Sequence, residues 1–495
     1  MSLWISLYLP THSLDACFPS RQPELTAAVL RRERVLTCTP AAASHGVMPG
    51  MSAGSARSLL PEIRLASENI AAEQRCLREI AMGMLQYSPH ITCQYEHAVL
   101  LEVQASLSLF KGPRALCRRI GATLRNMGVH ACLGMAPSAL GAWILSRQTR
   151  GRRRLLQASM LAARLDRLPV GMLPEALPHT DWLNGIGCLS LAQLRALPRK
   201  GLQQRSAPAL MQQADAAYGF ADRCHTWFEA PLAFKQHHDL LEHLEHGTAI
   251  LAVAARLIEQ LCGWLHAHQC AVNSLSLTLA HEKGRHARPP TQLDLRLSDH
   301  AWQAADFLRV LRERLQHLTL PAPVIRVSLS ASDTLSRPGA SSSLFPEPGQ
   351  WLHEEHRLLD LLCARLGEDR VRCCRPAADY SPEQANQWYP VYDDAAQGPS
   401  SSPGIQPPVL SDHARPFWLL DSPQALPTRN NQPVYQGRAL RLTLGPERLE
   451  SNWWLANPIK RDYFMARDDQ GARYWIYRQR EGMQAGRWFL HGLFA

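Results

Sequence analysis

The stretch Ser2–Cys17, SLWISLYLPTHSLDAC, decides how the rest of the chain is read. From Trp4 to Leu9 it is short and apolar, carries Trp, Ile and Tyr, and is stopped by Pro10, which predicts a buried β-strand. A strand that opens a sheet often carries chemistry at its end. This one brings no carboxylate, cysteine or histidine along its length, and the first acid is Asp15.

The 495 residues exceed a single hydrophobic core and predict three to five domains, most of them foldable at 46% hydrophobic residues. No uninterrupted apolar run of about 18 residues occurs, so no membrane span is expected. No basic segment leads into an apolar stretch with a cleavage site, so no signal peptide is expected either. Thirteen cysteines are scattered, with Cys373 and Cys374 adjacent and no paired C-x-x-C, which points to a reduced, cytoplasmic protein without a structural zinc site. A net charge of +10 permits binding to a phosphate backbone without requiring it.

Residues 1–165 alternate strands and helices. AEQRCLREIAMGMLQYSP predicts an amphipathic helix with Cys76, Ile80, Met84 and Leu85 on one face, AVLLEV a strand, GPRALCRRIGATLRNMG a helix closed by Gly128, and VHACLGMA another strand. Residues 166–232 predict short helices. Within them WLNGIGCLSLAQLRALP places Gly185 and Gly187 in a turn before a helix, which is a helix-hairpin-helix or an ordinary helix–helix turn. Residues 233–333 predict the order β-α-β-β-α-β, with a first helix from Leu240 to His268 and a basic loop, HEKGRHARPP, between the central strands. Residues 334–350 form a Ser/Pro/Gly linker that contains Leu344 and Phe345, either a docking peptide or a local contact. Residues 351–413 read as a helix and a low-complexity linker, and 414–495 as a small β-rich module whose aromatics serve a core, a protein interface or base stacking. No P-loop, G-x-G-x-x-G, H-E-x-x-H or G-x-S-x-G occurs.

This order resembles the Y-family translesion DNA polymerases. It implies an α+β multidomain fold of palm and fingers (1–165), helix-hairpin-helix thumb (166–232), little finger (233–333), clamp-binding tail (334–350) and a C-terminal interaction module (414–495). The family's D-x-D-x-F-F/Y-A strand carries two metal-holding acids and an aromatic pair under the incoming sugar. Here those places fall on Leu7, Leu9, Thr11 and His12. The family's S-I-D-E-A-F-L-D-V is matched by YEHAVLLEV, which puts His97 and Ala98 at the catalytic acids and Glu102 at the later, structural acid. Strand alternation sends Glu96 to the face opposite His97. The triphosphate contacts of S-Y-E-A-R and G-I-A-x-N-K fall on Pro40 and Ala43, and on Ser138 and Ala139. Two magnesium ions need several carboxylate oxygens, which a lone His97 does not replace. The resemblance therefore implies a polymerase fold without polymerase activity, metal or cofactor.

The strings GPERLESNWW, RDYFMARDDQGARYWIYR and GRWFLHGLFA are similar to the tails of the inactive Y-family homologues of bacterial damage-induced mutagenesis cassettes. That branch implies a bridging role among DNA, the sliding clamp of DNA polymerase III, a RecA-like accessory protein and an error-prone C-family DNA polymerase, with no membrane partner. The clamp peptide would be Ser341 to Phe345, with Ser341 where glutamine is preferred, followed by Leu344 and Phe345. DNA contacts are expected at Gly185 and Gly187 and at Lys283, Arg285 and Arg288 of the basic loop. Two other readings stay open: an active polymerase with displaced carboxylates such as Asp15, Glu96 and Glu102, and a clamp-independent factor that recognises DNA structure.

Overall fold

The computed structural model describes residues 2–19, 24–204, 208–221, 224–282, 288–337, 349–377, 379–392, 415–451, 453–454, 458–482 and 484–494. They form two compact units, Met1–Arg365 and Leu366–Ala495. The architecture is α+β throughout, as expected.

In the first unit, β1 (Trp4–Tyr8) leads into α1 (His12–Cys17). β2 (Ala27–Arg31), β3 (Arg34–Cys38), α2 (Pro40–Ser44), α3 (Ala53–Leu59) and β4 (Arg64–Ser67) follow and build a small sheet of order β3-β2-β4. The long α4 (Ile70–Met84), β5 (Ile91–Tyr95), β6 (Ala98–Glu102), α5 (Pro113–Asn126), β7 (Cys132–Ala136) and α6 (Ala139–Ser146) come next. β1 is an inner strand of the sheet β5-β6-β1-β7, antiparallel to both neighbours, with Leu7 opposite Val99 and Leu133.

Side chains alternate across a sheet, so β1 has two faces. Leu3, Ile5, Leu7 and Leu9 enter one core with Ile80 and Met84 of α4 and Leu116 and Ile120 of α5. Trp4 enters another with Leu140 and Trp143 of α6, and Ser6 bonds Ser146 on that side at 3.0 Å. Leu7 is fully buried and Leu9 is 2% exposed. Burial of each contributes about 2 kcal/mol.

A helical stretch follows: α7 (Ala158–Leu165), α8 (Thr180–Gly185), α9 (Leu191–Ala196), α10 (Arg199–Gln204) and α11 (Pro208–Tyr218). α9 is started by a capping box, in which Ser190 and Gln193 each satisfy the other's backbone N–H. The β-α-β-β-α-β order is found in β8 (Phe234–Leu244), α12 (Gly247–Ala267), β9 (Cys270–His281), β10 (Thr291–Ala301), α13 (Ala304–Gln316) and β11 (Val324–Ala331), with sheet order β10-β9-β11-β8; β12 (Thr334–Ser336) pairs with β9. One boundary differs. Leu240–Leu244 extends the strand rather than starting the helix, because β11 pairs with β8 as far as Leu244.

By length and composition α12 is apolar enough to cross a membrane, although Arg256 and Glu259 interrupt its apolar run. Two thirds of it is buried in the protein, where it packs on α4. Gly263 permits that contact: a Cβ there would stand 1.8 Å from the Met82 carbonyl oxygen. Across the same seam Arg256 pairs with Glu79 at 2.9 Å, and the buried Glu259 accepts from Asn126 at 2.7 Å, Gln86 at 3.2 Å and Thr123 at 3.3 Å. α14 (Gly349–Leu366) ends this unit, and its Asp360 accepts from the backbone and hydroxyl of Ser298, both at 2.7 Å.

The second unit begins earlier than the expected module start at 414. Strands Arg372–Pro376 and Asn386–Pro390 form a hairpin inside the segment read as helix and linker. Glu383, in that hairpin's connection, accepts from Arg461 at 2.6 Å and stands 3.5 Å from the fully buried His491. The main sheet runs Trp418–Leu426, Trp488–Leu493, Arg473–Gln479, Ile459–Arg467, Arg441–Ser451. Part of the aromatic content is core, since Tyr463 stacks on Trp475 with ring centroids 4.0 Å apart. Part is surface, since Trp453 and Trp454 are exposed.

Candidate functional site

The end of β1 is the place to which the polymerase resemblance assigns the chemistry. Its Leu7 and Leu9 side chains point into the apolar core. The Leu9 N–H donates to the His97 carbonyl at 2.8 Å, which fixes the β5–β6 turn against the strand end. Thr11 precedes α1 without a side-chain cap bond, and its hydroxyl donates to the Asp15 carboxylate at 2.8 Å. Asp15 is therefore engaged within its own helix.

Glu96 and His97 are the two residues between β5 and β6, and His97 has φ 51°. This corrects the alternation argument: at a turn the period of two breaks down, and the Glu96 carboxylate lies 3.5 Å from His97 Nε2. His97 is also not a lone ligand. Its ring centroid is 5.2 Å from that of His12, edge to face. Glu73, in the first turn of α4, completes a group with His12 and His97 whose donor atoms all lie within 4.8 Å of one another.

The three side chains are poorly satisfied. Both ring nitrogens of His12, Oε1 of Glu73 and Nδ1 of His97 are buried without a hydrogen-bond partner. His12 is held down to a pKa of about 4, first by burial and then by His97, with the nearby Glu73 backbone opposing. It is neutral at neutral pH, with a lone pair available. No sequence motif marks Glu73, because only folding brings α4 to the strand end. The two histidines had a readable cue, since His12 falls at the family's sugar-packing aromatic position and His97 at a catalytic acid position.

The positions assigned to triphosphate binding offer little. Pro40 is the first residue of α2 and has no N–H, the Ala43 N–H donates to Thr39 O at 2.9 Å, and the Thr39 hydroxyl caps the helix. Ser138 caps α6 by accepting from Gly141 at 3.2 Å and donates to Ala217 O at 2.6 Å, while Ala139 is buried beside it.

On the expected DNA side, Gly185 and Gly187 are exposed and nothing lies within 4 Å of a Cβ built on either. Gly187 needs its glycine identity at φ 71°. The N–H groups of Ile186, Gly187 and Cys188 already donate to Trp182, Asn184 and Leu183, and those of Leu189 and Ser190 to Gln193 Oε1. A phosphate there would share these donors. Arg288 is exposed; Lys283, Arg285, Ser341, Leu344 and Phe345 lie outside the described residues.

Residues 19–147 match the model of the impB/mucB/samB family. Taken over most of its length, the chain is similar to a particular protein, Protein ImuB of Caulobacter vibrioides, at 26% identity over 482 residues, covering 91% of this chain and 100% of that one. The same figures hold for ImuB of a second strain. The resemblance expected from the motifs and the C-terminal strings is thus found by sequence comparison. Similar solved structures include a ternary complex of Dbh (14% identity, TM-score 0.38) and an insertion ternary complex of Dbh DNA polymerase (14%, TM-score 0.39), each covering 66% of this chain and 98% of the other.

Proposed function

We propose that the chain is a non-catalytic, Y-family polymerase-like adaptor in DNA-damage-induced translesion synthesis and mutagenesis, cytoplasmic and associated with the nucleoid. Residues 1–165 serve as palm and fingers, 166–232 as thumb, 233–333 as little finger and 414–495 as an interaction module. The observation that carries this reading is the burial of Leu7 and Leu9 in the core at the end of β1. Phosphoryl transfer by two magnesium ions depends on acids at that end, and leucines provide no ligand oxygen. Pro40, Ala43, Ser138 and Ala139 support the same reading, since none offers a charged group to a triphosphate.

In this role the protein holds DNA through its backbone, without sequence preference, using the turn at Gly185 and Gly187 and the loop with Lys283, Arg285 and Arg288. Ser341, Leu344 and Phe345 dock on the sliding clamp. A RecA-like, ImuA-type accessory protein and an error-prone C-family polymerase join through the remaining surfaces, and the polymerase partner performs synthesis.

The test is a paired titration of the purified full chain with primer–template DNA and with deoxynucleoside triphosphate plus magnesium. The proposal expects DNA binding that weakens steeply as salt rises, and no saturable nucleotide binding on the DNA complex. Saturable, magnesium-dependent nucleotide binding would contradict it.

A further inference from the structure

We propose that His12, Glu73 and His97 form a binding site for a borderline divalent transition ion of the zinc class, at the end of β1. The donor set differs from the carboxylates of a two-magnesium polymerase centre, and the proposal goes beyond the adaptor reading.

The donor set is the first argument. Two imidazole nitrogens and one carboxylate oxygen suit zinc-like ions, whereas magnesium prefers oxygen ligands and retained waters. At zinc–ligand lengths near 2.0–2.2 Å, tetrahedral donors stand about 3.4 Å apart. The three groups here lie within 4.8 Å of one another, so their donor atoms need approach by no more than roughly 1.4 Å to reach that spacing.

The second argument is what surrounds the donors. His12 is 3% exposed and Glu73 is 9% exposed, yet neither ring nitrogen of His12 nor Oε1 of Glu73 has a well-formed hydrogen bond, the Glu73 backbone giving His12 only a weak contact. Buried polar atoms are nearly always paired, because an unpaired one loses its hydration without compensation. Several unpaired atoms converging on one point are what a metal ion satisfies together. His97 also has the arrangement of a metal-bound histidine: Nε2 faces the Glu96 carboxylate at 3.5 Å, which leaves the unbonded Nδ1 as the ligating nitrogen.

The third argument is rigidity. His12 opens α1 beside the Thr11–Asp15 bond, Glu73 sits on α4 behind the Asn69 cap, and His97 is held by the Leu9 N–H. A bound ion would tie α1, α4 and the β5–β6 turn together and stabilise the fold by its own binding free energy.

The test uses the full chain, stripped with a chelator and titrated with zinc and with cobalt(II). The thirteen cysteines are competing ligands, so the spectrum and the variants carry the decision. One equivalent of cobalt is expected, with visible d–d bands and no sulfur-to-metal charge transfer. Zinc should raise the melting temperature of the wild-type chain. His12→Gln and His97→Gln should lose that equivalent and the thermal shift. Glu96→Gln, whose side chain is exposed and outside the core, should fold normally and weaken binding about 10–100-fold. Retention of the same equivalent by His12→Gln and His97→Gln, a cysteine-type spectrum, or no retention of either metal at micromolar concentration would overturn the proposal. If the histidine variants misfold, an unchanged affinity in Glu96→Gln would count against it equally.

Discussion

Consider restoring the acids: Leu7→Asp together with Leu9→Asp. In a polymerase palm these carboxylates meet metal ions. Here they would meet the methyl groups of the core that includes Ile80, Met84, Val99 and Leu101. Loss of the two leucines removes about 4 kcal/mol of burial. Each carboxylate then loses solvation among apolar side chains, which adds several kcal/mol for each if it stays ionised. The sum is comparable with the whole stability of a typical domain, about 5–15 kcal/mol. The double variant is therefore expected to be largely unfolded in its first unit and inactive in synthesis. Urea denaturation followed by tryptophan fluorescence reads this directly. The sign of its pH dependence is fixed as well. A buried acid has a raised pKa, so the penalty is present above the ordinary carboxylate range and shrinks as the pH falls. A double variant with the wild-type urea midpoint at neutral pH would refute the placement of these leucines in the core. One that also gained magnesium-dependent synthesis would refute the reasoning altogether.

Other changes probe the seam between α4 and α12 and the acid limit of the fold. Arg256→Ala leaves the partly buried Glu79 without its partner and should cost about 2–4 kcal/mol, somewhat less than for a fully buried pair, whereas Arg256→Met with Glu79→Leu should be near neutral; denaturant midpoints distinguish the two. Gly263→Ala should cost about 1–3 kcal/mol in the same assay, because its Cβ meets a backbone carbonyl that only a shift of the helices can relieve. His238 is held near pKa 4 by burial and then by Arg256, against the opposing pull of Asp239, with His237 also near. The unfolded chain takes up that proton near pH 6.5, so stability should fall by about 3 kcal/mol between pH 6.5 and pH 4, and His238→Asn should flatten that slope.

Much of this was legible along the chain because local patterns and tertiary structure agree. The strand at Trp4–Leu9, stopped by proline, sits inside a sheet, and the β-α-β-β-α-β order of residues 233–333 is found with nearly its expected elements. Disagreement arose where tertiary pairing or a turn overrides a local rule. Leu240–Leu244 reads as helix from its leucines, but the β11 edge draws it into a strand. The Glu96–His97 pair reads as alternating strand, but it occupies a turn, where neighbours can face each other. Glu73 lies 61 positions beyond His12 and no spacing rule joins them; only the packing of α4 against the strand end does. Glu383 belongs to a sheet partner nearly 80 positions later, Arg461, which is why the second unit reaches upstream of its low-complexity stretch.

The central claim is that a polymerase-like fold is kept here without the reaction. Primer extension by the purified full chain, with magnesium and then with manganese on an undamaged and a lesion-bearing template, tests it most directly. No extension above a no-protein control is predicted with either metal. Robust extension that disappears on changing Glu73, Glu96 or His97 would contradict the account, because it would put a working catalytic centre where the structure shows leucines, two histidines and a glutamate.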